Sequence, residues 1–190
     1  MVLAITGASG VVYGIRMAEE LLIRDFEVHL IASDAACIVL EQELDWDFSS
    51  GRTQTFYQRL PKGNLIYYDN DDIAAPVASG SFLSNGMMVM PCTMSTLSAI
   101  AHGSSNNLIT RAADVMLKEK RQLILVPRET PVNTIHLRNM LLLSEMGVNI
   151  VPAMPGFYSK PTGIEEIVDF LVGKVLDLIN VSHDLYHRYG

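Results

Sequence analysis

The sequence predicts a doubly wound α/β fold on a parallel sheet, and three observations carry that prediction. Short apolar, β-branched runs alternate with stretches of helical periodicity along the whole chain. The first run, Val2-Leu3-Ala4-Ile5-Thr6, breaks into Gly7-Ala8-Ser9-Gly10 directly before a helix pattern. Parallel strands need crossovers, and the alternation supplies a helix for each.

The elements follow in order. Val2 to Thr6 is a first strand, and Gly10 to Arg24 a helix with Val11, Ile15, Ala18 and Leu22 on one face and Arg16, Glu19 and Glu20 as its charges. Glu27 to Ala32 is a second strand, followed by a helix to Leu44 for which Ser33 is suited as the cap. Asp45 to Asn64 is a polar excursion holding Trp46, with a short helix expected over Gln54 to Leu60. Leu65 to Tyr68 is a third strand, and Asp69-Asn70-Asp71-Asp72 an acidic loop. Met87 to Met90 is a buried-type strand ending at Pro91, with helices over Thr93 to Ala101 and Leu108 to Glu119. Gln122 to Val126 is a strand stopping at Pro127, Thr134 to Met146 a helix, Val148 to Val151 a strand and Ile164 to Ile179 a final helix.

Composition sets the bounds. At 190 residues and 49% hydrophobic content the chain can fill one core, so a single domain over residues 1–190 is expected. A net charge of -7, with no stripe of Lys and Arg, argues against a nucleic-acid partner. The apolar runs are too short to span a bilayer and the N-terminus lacks the basic flank of a signal peptide, so a cytoplasmic protein without a membrane partner is expected. Cys37 and Cys92 are too few for a disulfide framework and fit no zinc spacing.

In doubly wound sheets ligands bind beyond the carboxyl ends of the strands, where strand order reverses. The loops able to meet there hold Gly7 to Gly10, Ser33, Cys92 to Thr96 and Arg128-Glu129. The first loop leads to the hypothesis that a phosphate sits on free amides at the start of the first helix. A dinucleotide fingerprint fails, because Gly7, Ser9 and Val12 stand where Gly-x-Gly-x-x-Gly is required, and Asp34 reads as part of a capped first turn. Gly-Ala-Ser-Gly serves equally well as a tight turn. The hydroxyls of Ser9, Ser33, Thr93, Ser95 and Thr96 tip the reading toward a mononucleotide.

Pro127-Arg128-Glu129-Thr130-Pro131 sets a guanidinium and a carboxylate at a strand end between prolines. Arg128 suits a phosphate, and Glu129 an acid toward a leaving group if burial raises its pKa. The plain alternative is a surface ion pair. Arg111 and Lys118, seven apart on one predicted helix, share about one face and can both reach an anion. Tyr158 and Lys160 lie in a loop that suits a lid or a plain connection. Asp69, Asp71 and Asp72 read as solvated rather than as a metal site, and no metal is expected. Cys92 sits at a helix start, a place that lowers a thiol pKa, but no histidine pairs with it; His102 and His136 read as structural or surface residues.

These segments together resemble the flavin prenyltransferases, formerly described as aromatic-acid decarboxylase subunits of the ubiquinone pathway. The resemblance spans nearly the whole chain through TGASGxxYGxR (Thr6 to Arg16), ASGS (Ala78 to Ser81), PCTxSTLS (Pro91 to Ser98), NNLITRAADVxLKE (Asn106 to Glu119), VPRETP (Val126 to Pro131) and PGFY (Pro155 to Tyr158). It implies a Rossmann-like flavoprotein fold that binds FMN and joins a dimethylallyl group from dimethylallyl monophosphate to N5 and C6 of reduced FMN, without a metal. It implies that Gly7, Ala8, Ser9, Ser33, Thr93, Met94, Ser95, Thr96 and Arg128 bind FMN. Arg111, Lys118, Tyr158 and Lys174 would hold the prenyl phosphate, Glu129 would assist its departure, and Ser9, Glu43 and Lys118 would complete the catalytic set.

The resemblance further implies a homo-oligomer, commonly a dodecamer, in which the Tyr158 loop and the Lys174 helix reach a neighbour's site. The product would pass to a decarboxylase that uses prenylated FMN. Three positions depart from the family pattern: Lys174 stands where arginine is expected, and Ile73 and Tyr189 where some members place tryptophan. Two alternatives remain: an FMN-dependent cysteine-type decarboxylase of the same fold, and a non-catalytic flavin carrier.

Overall fold

A computed structural model describes residues 1–188 of the chain, so Tyr189 lies outside the described residues. Six strands form one parallel sheet: β1 (Val2–Ile5), β2 (Val28–Ala32), β3 (Leu65–Asp69), β4 (Met87–Cys92), β5 (Leu123–Pro127) and β6 (Asn149–Ile150). Their order is β3-β2-β1-β4-β5-β6, so the direction of winding reverses between β1 and β4. The helices are α1 (Val11–Ile23), α2 (Asp34–Leu44), α3 (Arg52–Arg59), α4 (Met94–Ala101), α5 (Leu108–Lys118), α6 (Thr134–Glu145) and α7 (Ile164–Leu178).

Every residue of β1, β2, β4 and β5 is buried, which explains why these strands read as continuous apolar runs: both faces of the sheet are covered. Successive side chains enter opposite cores. Leu3 and Ile5 join Met17, Leu21, Met90 and Val172 beneath α1 and α7. Val2 and Ala4 join Leu97, Met116 and Leu125 beneath α4 and α5. Among the described residues no helix is long and apolar enough to cross a membrane.

The expected elements all form, with shifts at their ends. β4 runs through Pro91 to Cys92, with its register against β5 shifting between Val89 and Cys92. β6 is two residues long rather than four. The excursion after α2 is better ordered than its composition suggested: Trp46 and Phe48 pack on Phe56 of α3, which stacks on Tyr67 of β3 at 4.8 Å. Burying Trp46 and Phe56, with the half-buried Phe48 beside them, ties the segment to the sheet edge.

Candidate active site

The loop after β1 is built around one peptide group. Gly10, at φ 95° and ψ 30°, is the N-cap of α1 and has no side chain with which to cap it. The cap comes from α2 instead. The Glu43 carboxylate accepts from Gly10 N at 2.9 Å and from Val11 N at 3.2 Å. On the other side, Arg128 Nε donates to the Ser9 carbonyl at 3.1 Å. The Ser9 carbonyl and the Gly10 N–H belong to the same peptide, so a cation and an anion hold it from opposite faces. The hypothesis of a phosphate on free amides at this helix start is therefore corrected: the amides of Gly10 and Val11 are already filled by Glu43.

Thr6 joins this loop to the one after β4. Its side chain is buried, donates to the Pro91 carbonyl at 2.7 Å and accepts from Thr93 N at 2.8 Å. Thr93 thus held caps α4, its Oγ1 accepting from Thr96 N at 3.1 Å. Ser33 caps α2 in the same way, accepting from Ala36 N at 3.1 Å, while Ser33 N is tied to the Ile5 carbonyl. A helix leaves its first four N–H groups without intrahelical partners. The caps and turns take the later ones, which leaves Asp34 N and Ala35 N on α2 and Met94 N and Ser95 N on α4. These amides flank the switch between β1 and β4 together with Ser33, Thr96 and the exposed Ser95. Such a donor set fits a phosphate monoester and hydroxyls. Gly7 lets α2 approach closely, since a Cβ there would lie 2.4 Å from Ala35 Cβ. Ala8 is buried under this turn and Ser9 is exposed on it.

Beyond Arg128 the surface turns apolar. A cleft of about 240 Å³ is lined by Met94, Val132, Leu137, Met140 and Met154, with Arg128 and Glu129 also in its wall. Arg128 and Glu129 are not the surface ion pair that their adjacency allowed. Arg128 turns to Ser9, and Glu129 accepts from Thr130 N at 3.0 Å. Glu129 is exposed within this chain. Cys92 is also corrected: it is wholly buried, and loss of hydration drives its thiol pKa up, not down.

The remaining site candidates stand elsewhere. Arg111 donates through Nε to the Ala78 carbonyl at 3.1 Å and pairs with Asp114 at 3.1 Å. Lys118, at the far end of α5, pairs with Glu119 beside Gly80, where a Cβ would meet both side chains. α5 descends from the strand carboxyl ends toward the start of β5, so Lys118 is separated from Glu129 by roughly 13 Å of strand alone. Lys174 lies over the rings of Phe170 at 5.6 Å and Tyr186 at 5.0 Å. The hydrogen bond it donates to Tyr186 holds its pKa above the usual lysine value, against a smaller desolvation effect. Tyr158 meets Phe170 edge to face at 5.7 Å, so the Tyr158 loop and Lys174 come together as one group on α7. Within one chain, then, the candidates form three groups: the switch-point loops, the α5 edge and the α7 cluster.

The residues set aside have structural partners. His136 completes a capping box with Asn133, His102 contacts the Ser98 carbonyl, and Asp34 and Asp69 face Arg52 at 2.6 and 3.9 Å. No group of acids, histidines or cysteines among the described residues is arranged to hold a metal. Two features were missed from sequence. One is Thr6 as the tie between loops, signalled only by a polar residue closing an apolar strand. The other is α6, where Asn139 and Leu143 are buried while Ile135, Leu137, Leu141 and Leu142 face outward, an inverted pattern readable only once the sheet side is known.

The flavoprotein family profile matches residues 1–176. The flavin prenyltransferase UbiX of Alkalihalophilus pseudofirmus is 51% identical over 193 residues, covering 100% of this chain and 96% of that protein. The crystal structure of AnUbiX in complex with FMN and dimethylallyl pyrophosphate superposes with a TM-score of 0.90 at 40% identity, covering 100% of this chain and 96% of that one. A dodecameric FMN-dependent UbiX-like decarboxylase from Escherichia coli O157:H7 matches with a TM-score of 0.88 at 39% identity, over 100% of both chains.

Proposed function

The chain belongs to the flavin prenyltransferases of the flavoprotein family, and from that premise we propose that it transfers a dimethylallyl group from dimethylallyl monophosphate to N5 and C6 of reduced FMN. One observation carries the reading. The paired helix starts of α2 and α4, with Ser33, Thr93, Ser95, Thr96 and Arg128, offer a mononucleotide cradle that opens onto the apolar cleft beside Glu129. Gly7, Ala8 and Ser9 form the near wall of that cradle, and Met94 reaches from it into the cleft.

Reduced FMN, when bound, supplies the electron-rich atoms that take the allyl group. The protein's part is to make the phosphate a good leaving group and to keep water away. Met94, Val132, Leu137, Met140 and Met154 line the space beside Arg128 with apolar surface, which limits hydrolysis of the donor. Arg111, Lys118 and Lys174 neutralise charge as it builds on the departing phosphate, Tyr158 donates a hydrogen bond to it, and Glu129 gives it a proton. Lysine at 174 makes a point contact where arginine would grip with two donors. Ser9 and Glu43 complete the catalytic set.

Because these groups are far apart in one chain, the site is completed by other copies of it, the α5 edge and the α7 cluster of neighbours closing over the switch-point loops. The inverted apolar face of α6 borders the cleft through Leu137 and Met140 and suits a second copy. The assembly is a homo-oligomer, a dodecamer like the Escherichia coli relative, acting in the cytoplasm and passing its product to a decarboxylase that uses prenylated FMN. The test mixes purified protein anaerobically with reduced FMN and dimethylallyl monophosphate and weighs the flavin released by acid. A mass increase of one five-carbon unit is expected. Unchanged mass with FMN binding verified overturns the reading and leaves the flavin carrier.

A further inference from the structure

Phe170, Gly173, Lys174 and Asp177 stand at i, i+3, i+4 and i+7 on α7, so they share one face of the helix. The chain turns back over that face as soon as the helix ends. Asn180, at φ 56°, takes the left-handed position, and Asn180 N and Val181 N donate to the carbonyls of Asp177 and Leu176 in a Schellman ending. Gly173 leaves room for the returning segment: a Cβ there would lie 2.6 Å from Tyr186 Cδ1 and 2.7 Å from His183 Cε1. The Tyr186 ring packs on Phe170 at 5.3 Å, with the Lys174 ammonium 5.0 Å from its centre and 5.6 Å from that of Phe170.

The Tyr186 hydroxyl joins two charges, each of which can bond it in one sense only. The Asp177 carboxylate accepts, and Tyr186 donates its proton to Oδ2 at 2.6 Å. An ammonium only donates, so the Lys174 bond goes to a lone pair of the same phenol oxygen. Arg188 also donates to Asp177, at 2.7 Å, and the buried His183 meets it through Nε2 at 3.2 Å while its Nδ1 accepts from Leu185 N at 3.2 Å. The carboxylate is thus held from both sides of Tyr186 in sequence. Loss of hydration, and then Asp177, push the Tyr186 pKa up, which keeps its proton on the phenol.

We propose that Tyr186 is a positioning residue for Lys174, a relay through which Asp177 aims the ammonium at the prenyl phosphate. The inference rests on the reading of Lys174 as a ligand of that phosphate. A lysine ammonium is a point charge on a flexible four-carbon stem, and holding it in one place costs conformational freedom. One N–H given to Tyr186 fixes the head and leaves two for phosphate oxygens.

The test uses Tyr186→Phe, which keeps the ring and its packing and removes only the hydroxyl. The first arm needs neither flavin nor turnover: limiting acetic anhydride at pH 9 labels the lysines in competition, and mass spectrometry of the peptides reads Lys174 against Lys62. Lys174 should react about fivefold faster in Tyr186→Phe than in the wild type, the factor for one net hydrogen bond. A ratio unchanged within about twofold overturns the proposal. In the second arm kcat/KM for dimethylallyl monophosphate should fall about fivefold in Tyr186→Phe, with the FMN dissociation constant unchanged. Adding Tyr186→Phe to Lys174→Ala should cost nothing further, because the hydroxyl acts through the ammonium. An equal fall in both backgrounds overturns the proposal, since a merely structural hydroxyl would act without Lys174. A wild type that leaves FMN unprenylated sinks the functional reading, while the acetylation arm still decides whether Tyr186 holds Lys174.

Discussion

Replacing Thr6 by valine keeps the shape of the side chain and removes its hydroxyl, and the consequences can be followed bond by bond. Thr6 is 2% exposed, so water cannot replace what is lost. The Pro91 carbonyl loses Thr6 Oγ1 at 2.7 Å but keeps the Thr6 N–H at 3.2 Å, and remains satisfied. Thr93 N loses its partner at 2.8 Å, in a part-buried place at the head of α4. An orphaned donor of this kind costs ~1–3 kcal/mol and the bond to Pro91 adds up to about 1, so a loss of about 2 kcal/mol is reasonable. For a chain of this size that corresponds to a fall of roughly 4–8 °C in melting temperature. Because Thr93 starts the helix whose amides face the switch point, FMN should also bind more weakly. Thr6→Ser restores the hydroxyl and should recover most of both losses. Differential scanning calorimetry with FMN titration measures the pair. A valine variant that melts within 1 °C of wild type and binds FMN normally would falsify the assignment of Thr6 as the tie between the two loops.

Further outcomes follow from the same geometry. Glu129→Gln should retain FMN binding and lower the rate of prenyl transfer by about 10²-fold, whereas Lys118→Ala should chiefly raise the KM for the prenyl phosphate; equal loss of FMN in both, seen by fluorescence titration, would mean their roles are misassigned. Burial drives the thiol pKa of Cys37 up to about 11 and that of Cys92 higher still, so neither should react with a thiol reagent at pH 8 in native protein and both should react in denaturant. A fast-reacting thiol in the folded state would contradict their placement. Asp177 is held down to about pKa 2, chiefly by hydrogen bonds from Arg188, against desolvation and with help from Tyr186. A depressed acid contributes stability above its unfolded pKa, near 3.9, and loses it as pH falls through the folded value, so the Tyr186 environment should persist at pH 4 and loosen toward pH 2. Asp177→Asn should abolish that step in a tyrosine fluorescence titration.

The sequence by itself determined which stretches are strands and which are helices, and therefore the parallel sheet. Strands covered on both faces must be apolar throughout, and helices bury one stripe, so burial leaves its period in the chain. It also showed the cap at Ser33, which bonds to an amide three residues on, whereas the caps at Thr93 and Asn107 emerged only in the structure. The motif set was enough for the family, since it runs through the loops after β1, β4 and β5. Only the tertiary structure decided how the loops are joined. The hydrogen bond of Glu43 to Gly10 spans 33 residues, that of Thr6 to Thr93 spans 87 and that of Arg128 to Ser9 spans 119, and contacts so distant in sequence impose no period and no spacing. The outward face of α6 was hidden for a related reason: only the sheet shows which side of the helix is covered. The separation of Arg111, Lys118 and Lys174 from Glu129 likewise depends on where α5 and α7 run against the sheet. That direction comes from strand order, which local periodicity does not encode.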